Sequence, residues 1–223
     1  MDAVLLQRLS QITEEERELL QGRGVDRALY ASGRAFEVDA AKMLEKGKLM
    51  SIRPHTRFAP FPRHSHNYVE IMYMCRGKTV HRIDGDALVT LEAGELLFLN
   101  RHASHAIQRA DAGDIAVNFI VLPQFFDEAF NMAGMDNVLS RFLLGELYTG
   151  RAAVSYLHFR VREVLPVQNL VENMVWTLVN RQPGARRINQ VTMGLLLLQL
   201  MHYTECIDMS RNGSIRSPMV EAA

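Results

Sequence analysis

The chain has 223 residues, with 25 Lys and Arg balanced by 25 Asp and Glu, so its formal net charge is zero. A hydrophobic share of 48% is that of a globular protein and excludes a disordered chain. The neutral balance argues against a chain that by itself neutralises a nucleic-acid backbone, and equally against a polybasic membrane-surface protein. Residues 1–47 are predicted as short helices packed on something larger. Val4, Leu5 and Leu9 share a helical face, Thr13-Glu14-Glu15-Glu16 has the form of a capping box, and Glu37–Leu44 suits a third helix.

Residues 48–122 change period. Short segments rich in Val, Ile, Leu, Tyr and Phe predict strands near 48–53, 66–75, 78–84, 86–92, 95–99, 103–108 and 115–122. Asp84-Gly85-Asp86 between two alternating runs is a hairpin signal, and Gly77, Gly94 and Gly113 mark further breaks. Many short strands at even spacing mean a sandwich or a small barrel.

Residues 123–207 read as helical. Val167, Leu170, Val171, Met174, Val175, Leu178 and Val179 form one amphipathic stripe, which Pro183-Gly184 stops. Ile188, Val191, Leu195, Leu198 and His202 form a second. Leu196, Leu197, Leu200 and Met201 make this second helix apolar nearly all round, so both its faces need cover. The expectation is an αα-hairpin whose second stripe is a homodimer interface, with His202 a polar residue in that seam. Residues 208–223 read as a linker or tail. Cys75 and Cys206 are too few for a disulfide framework and read as reduced, buried thiols. Neither a secretory leader nor a membrane span is visible, so the chain reads as cytoplasmic, with no membrane partner.

The chemistry concentrates in Arg63-His64-Ser65-His66-Asn67-Tyr68-Val69-Glu70. Residues two apart on a strand share a face, which puts His64, His66, Tyr68, Glu70, Met72 and Met74 on one side. With His105 expected from a facing strand, His64, His66 and Glu70 could ligate Zn, Fe, Ni or Mn. They could equally form a polar effector site, or a satisfied polar cluster.

His64-x-His66, then Glu70 and Gly77, resembles the first motif of cupins, and Gly94 through His105 resembles the second, departing from it at Asn100, His102 and Arg109. A cupin barrel followed by an αα-hairpin resembles the sensing half of AraC-type transcriptional regulators. The resemblance covers roughly 48–207. It implies a mainly β, cupin-like jelly-roll barrel with short N-terminal helices and a C-terminal αα-hairpin. It also implies a small effector, a sugar or other metabolite, bound by His64, His66, Tyr68, Glu70, Met72 and His105, and dimerisation through the helices. DNA would be read by a C-terminal helix-turn-helix half. The residues after Ile207 are too few for that half, so the chain reads as a piece of a longer regulator or as a regulator that lacks it. No enzymatic activity is expected. The alternative is a stand-alone metal-dependent cupin enzyme using His64, His66, Glu70 and His105. His55, His81 and His102 read as surface or edge residues, Arg57, Arg63 and Arg82 as rim charges, and Trp176 as core or interface packing.

Overall fold

In a computed structural model that describes residues 1–145, 147–149, 152–203 and 207–208, the strand-rich middle of the chain folds as two stacked sheets. The five-stranded sheet has the order β1 (Glu37–Val38), β3 (Phe61–His66), β8 (Ser104–Ile107), β5 (Lys78–Ile83), β6 (Ala87–Glu92). The six-stranded sheet runs β13 (Ile207–Asp208), β12 (Tyr156–Phe159), β7 (Leu96–Leu99), β4 (Val69–Arg76), β9 (Ile115–Val121), β2 (Met50–Pro54). Neighbours are antiparallel throughout, except that β1 lies parallel to β3. A separate short pair joins β10 (Tyr148–Thr149) to β11 (Ala152–Ala153).

The six-stranded sheet is covered on both faces, which explains its nearly continuous apolar strands. Val69, Ile71 and Tyr73 of β4 and Val117 and Phe119 of β9 pack outward into the core beneath the helices. Met72 and Met74 of β4, with Ala116 and Ile120 of β9, pack inward into the barrel. Period two thus sorts one strand between two cores.

Helices close the outer face. Asp2 caps α1 (Ala3–Leu9), and Thr13 and Glu16 form the expected capping box at the start of α2 (Glu14–Leu20). Leu5 and Leu9 are buried, but Val4 is exposed and lies off the packed face. α6 (Leu165–Val179) and α7 (Ala185–Met201) form the hairpin, and Gly184 makes the turn with φ +75°. One face of α7 is covered within the chain by α4 (Asp127–Ala133), which follows a 3-10 turn at Pro123–Phe126 and precedes α5 (Val138–Leu143). The approach is close: a Cβ on Gly194 would lie 2.5 Å from Met132 Sδ. The sequence left that face to a second subunit, whereas α4 takes it.

Four element assignments are corrected. Glu37–Leu44 is the two-residue β1 followed by the one-turn α3 (Ala40–Met43), because Asp39 caps a helix that starts only at Ala40. The strand expected at 66–75 is two strands, β3 and β4, joined by a bend at Asn67-Tyr68. Asn67 pins that corner, accepting from the Ala40 amide at 2.8 Å and donating to Asp39 Oδ1 at 3.0 Å. Within 123–207, Tyr156–Phe159 is a strand, since a short run buried on both faces carries no period to distinguish it from a helix. At the C-terminal end, Asp208 pairs with His158, and the rest of the expected linker, like Cys206, lies outside the described residues. Among the described residues no helix is long and apolar enough to cross a membrane.

Candidate functional site

Three strands of one sheet and two of the other aim polar side chains into the barrel. His64 and His66 lie on β3, and His105 lies beside them on β8, in register with His64. His105 therefore comes from a neighbouring strand, not a facing one; the facing group is Glu70, across the barrel on β4. Ring centroids are 4.3 Å apart for His64 and His105, 4.8 Å for His64 and His66, and 5.1 Å for His66 and His105. Ligand atoms of these three buried histidines all fall within 4.8 Å of one another. Glu70 Oε2 lies 3.5 Å from Nε2 of both His66 and His105. Its Oε1 accepts from Asn118 Nδ2 at 3.1 Å.

Two further histidines belong to the cluster. His81 on β5 stacks on His105 at 5.7 Å and is 2.8 Å from Thr79 Oγ1 through Nε2, and His55 sits 6.1 Å from His81. Both are buried, against the expectation of surface residues, His81 because β5 alternates with Thr79, His81 and Ile83 inward. That alternation was readable in the sequence. So was Asn118, a single polar residue in the apolar run Ile115–Val121 with the parity of Ala116 and Ile120. His55 follows the end of β2 and had no such signal.

Burial sets the protonation. It lowers His55 and His64 to about 4 and holds His66, His81 and His105 well below 6.5. It also pushes Glu70 up to about 8, against the lowering pull of the Asn118 amide. Neutral imidazoles facing a neutral carboxyl at 3.5 Å are not ion pairs, so those contacts gain no charge attraction. The cluster is also short of hydrogen bonds: His55 Nε2, His66 Nδ1, His81 Nδ1, both His105 ring nitrogens, Glu70 Oε2 and Asn118 Oδ1 are buried without a partner. Unmet buried polar atoms on this scale call for an occupant.

The cavity beside this cluster has a volume of ≈ 40 Å³, room for about one or two waters, and is lined by His55, His64, His66, Glu70 and Asn118 but not by His81 or His105. Its walls include Arg53, His55, His64, His66, Tyr68 and Glu70, and Tyr30, Val38 and Met43 of the N-terminal segment. Tyr30 is held by its hydroxyl, which donates to Glu15 at 2.5 Å. Of the expected effector residues, Tyr68 lines the cavity 5.0 Å from the His66 ring, while Met72 packs in the barrel core away from it.

A divalent transition metal fits this donor set. His64 Nδ1 lies 2.9 Å from the Pro62 carbonyl oxygen, and donating to it leaves Nε2 as the ligand atom. Ligands held near 2.1 Å in a tetrahedron are roughly 3.4 Å apart, close to the 3.5 Å from Glu70 Oε2 to His66 and His105. Three imidazoles and a carboxylate suit Zn, Fe, Ni or Mn.

The remaining candidates lie elsewhere. Arg57 is buried against Glu16 beneath α2, Arg63 is bound to Ser104 at the surface, and Arg82 is exposed. His102 is exposed, as expected, and Trp176 is half-exposed instead of packed in the core. On α7, Val191 and Leu195 are 38% and 43% exposed, Ile188 and Leu198 are half-buried and His202 is exposed, so the second stripe lies on the outer face.

Residues 51–130 match the family model described as AraC-like ligand binding domain. The apo form of a ToxT variant from Vibrio cholerae strain SCE256 is similar in fold at 11% identity and a TM-score of 0.53, over 76% of this chain and 62% of that one. This chain thus spans less than two thirds of that protein's length. ToxT from the same strain with bound unsaturated fatty acid matches at 10% identity and a TM-score of 0.41, over 66% of this chain and 51% of that one. A cupin protein from Bacteroides fragilis matches at 28% identity and a TM-score of 0.28, over 33% of this chain and 64% of that one. No curated protein matches the chain.

Proposed function

Starting from an AraC-like ligand-binding domain over residues 51–130, we propose that the barrel senses a divalent transition-metal ion and relays its occupancy to a dimerising helical hairpin in a DNA-binding regulator. One observation carries the reading: ligand atoms of His64, His66 and His105 lie within 4.8 Å of one another, beside a Glu70 carboxylate oxygen that is 3.5 Å from two of the rings and has no hydrogen-bond partner. A sugar or comparable metabolite needs a pocket of a few hundred cubic ångströms, which this barrel does not offer. His64, His66, His105 and Glu70 would hold the ion, whose charge would keep Glu70 ionised, while Asn118 orients that carboxylate.

Occupancy can reach the helices through the N-terminal segment. Tyr30, Val38 and Met43 wall the cavity, and the head of the same segment is bonded to α6 and to its C-cap, Asn180. There the amino group of Met1 pairs with Glu172 at 3.2 Å, and Arg8 Nη1 donates to Asn180 Oδ1 at 2.6 Å. Coupling follows if these contacts differ between filled and empty barrels. The outer stripe of α7 (Ile188, Val191, Leu195, Leu198, His202) supplies the homodimer seam, with Val191 and Leu195 exposed, Ile188 and Leu198 half-buried, and α4 already on the opposite face. DNA recognition belongs to a helix-turn-helix half outside this segment, in the cytoplasm, and the barrel itself carries out no catalysis.

The test is titration of chelator-treated protein with Zn, Ni, Fe or Mn, read by competition with a chromophoric chelator and by light scattering. The expected result is about one equivalent bound, an affinity lower by at least about a hundredfold in His66→Gln and His105→Gln, and a shift in dimer assembly on loading. Binding below about a tenth of an equivalent would remove the metal. Full loading with no change in assembly would favour the metal-dependent cupin enzyme.

A further inference from the structure

The cavity in the barrel borders only part of the donor cluster. His64, His66 and Glu70 line it, and His105 does not. An ion held by those four residues would therefore lie against the cavity, whose lining also includes Tyr30, Arg53 and Thr56. His55, His66, Glu70 and Asn118, all of them lining residues, each keep a buried polar atom without a hydrogen-bond partner.

Arg53 is the cation of this lining, a half-buried side chain on β2 that is 35% exposed. Its guanidinium crosses the Tyr30 ring, 5.1 Å from the centroid. Its Nη1 donates at 2.8 Å to Met43 Sδ, and a thioether is a weak acceptor. Its Nη2 is 3.7 Å from Glu15 Oε2, beyond hydrogen-bond reach, and that carboxylate already accepts from the Tyr30 hydroxyl at 2.5 and 2.6 Å. A guanidinium on a cavity wall thus spends a donor on sulfur, where a small carboxylate would accept far better.

Charge points the same way. In a loaded barrel the divalent ion outweighs the Glu70 carboxylate by one positive charge, while Arg53 and Glu15 offset each other. A positive charge left over in a buried site calls for a counter-ion. Size limits what that can be: ≈ 40 Å³, the space of about one or two waters, admits an anion of about three heavy atoms. We infer that the loaded barrel takes up a small monoanion of formate's size, held by the Arg53 guanidinium beside the ion. Anion binding rests on the barrel holding a metal, as proposed above, and makes Arg53 the residue that selects what joins the ion. The domain then reports ion and anion together.

The experiment loads the whole chain with Co²⁺, a coloured stand-in for Zn, and measures its affinity by chelator competition before any anion is added. The visible spectrum is then titrated with formate, acetate and benzoate. Formate is expected to shift the Co²⁺ absorption with saturation at a dissociation constant below about 10 mM. Acetate, one methyl larger, is expected to bind at least about tenfold more weakly, and benzoate not to bind. Arg53→Met is expected to weaken formate at least about tenfold while leaving the Co²⁺ affinity within about threefold, because Arg53 is no ligand. Arg53→Lys keeps the charge and is expected to fall between the two, and Arg53→Gln replaces Arg53→Met should the latter not fold. Bound Co²⁺ whose spectrum ignores formate up to about 100 mM would overturn the anion site and leave the metal reading standing. Formate binding unaffected by Arg53→Met and Arg53→Gln, or benzoate binding as tightly as formate, would also overturn it. Failure to bind Co²⁺ before formate is added would remove the metal reading and the anion site with it.

Discussion

Arg57→Met tests how the N-terminal helices are fastened to the barrel. The Arg57 guanidinium grips the Glu16 carboxylate with two hydrogen bonds, Nε to Oε1 at 2.6 Å and Nη2 to Oε2 at 2.8 Å. Both side chains are at least 96% buried, at 4% and 1% exposure. The same guanidinium donates to the carbonyl oxygens of Ser10, Gln11 and Ala112 at 3.2 Å each, so one side chain binds the α1–α2 connection to the barrel. Removing one member of a buried pair strands the other, at a cost of about 3–5 kcal/mol, a large part of the roughly 5–15 kcal/mol that holds a domain folded. Removing both, in Glu16→Met with Arg57→Met, is expected to cost less than the two singles together, with a coupling of at least about 2 kcal/mol.

Urea denaturation followed by circular dichroism measures all four proteins. Acid adds a second signature. Burial pushes Glu16 up, but the Arg57 hydrogen bond, the Thr13 amide and the Arg57 charge outweigh it and leave the carboxyl below 4.5. A group depressed in the folded state stabilises above its unfolded pKa and loses that contribution as pH falls through its folded pKa. The gap between wild type and Arg57→Met is therefore expected to be full at pH 7 and to narrow below about 4.5. A single cost under about 1 kcal/mol with additive doubles, or a gap that does not change into acid, would refute the reasoning.

Leu195→Arg on the outer face of α7 should leave monomer stability within about 0.5 kcal/mol while abolishing the dimer in sedimentation; an unchanged dimer places the seam elsewhere. Gly94→Ala would put a Cβ 2.8 Å from Arg162 Cβ and 2.9 Å from its Cα at φ +84°. It should cost at least about 2 kcal/mol in thermal unfolding, and a neutral result would mean that the β6–β7 turn yields. Burial pushes the Cys75 thiol up to about 12. Cys75 is half-buried, short of the full burial expected; in a Cys206→Ser background it should react with a disulfide reagent at pH 8 at least about tenfold more slowly than in the unfolded chain, and equal rates would contradict the raised pKa.

Local signals decided much of this protein. The Thr13–Glu16 capping box, the Asp84-Gly85 turn with positive φ at both residues, the Gly184 break and the alternation of β5 rest on backbone sterics and short-range hydrogen bonds. These need no knowledge of the rest of the chain. The even spacing from His64 to Glu70 placed the donors on one side, and that parity holds although a bend separates β3 from β4. What spacing could not supply is which sheet each strand joins, since pairing partners are set by contacts distant in sequence. Only the tertiary fold made His105 a neighbour of His64 and Glu70 their opposite, and gathered His55 and His81 behind them. Only the fold gave one face of α7 to α4, narrowing an apolar helix to a single outer stripe. The barrel shrank to a cavity of ≈ 40 Å³ for the same reason: the residual volume of a core depends on how side chains from every strand interdigitate, and no local pattern encodes that.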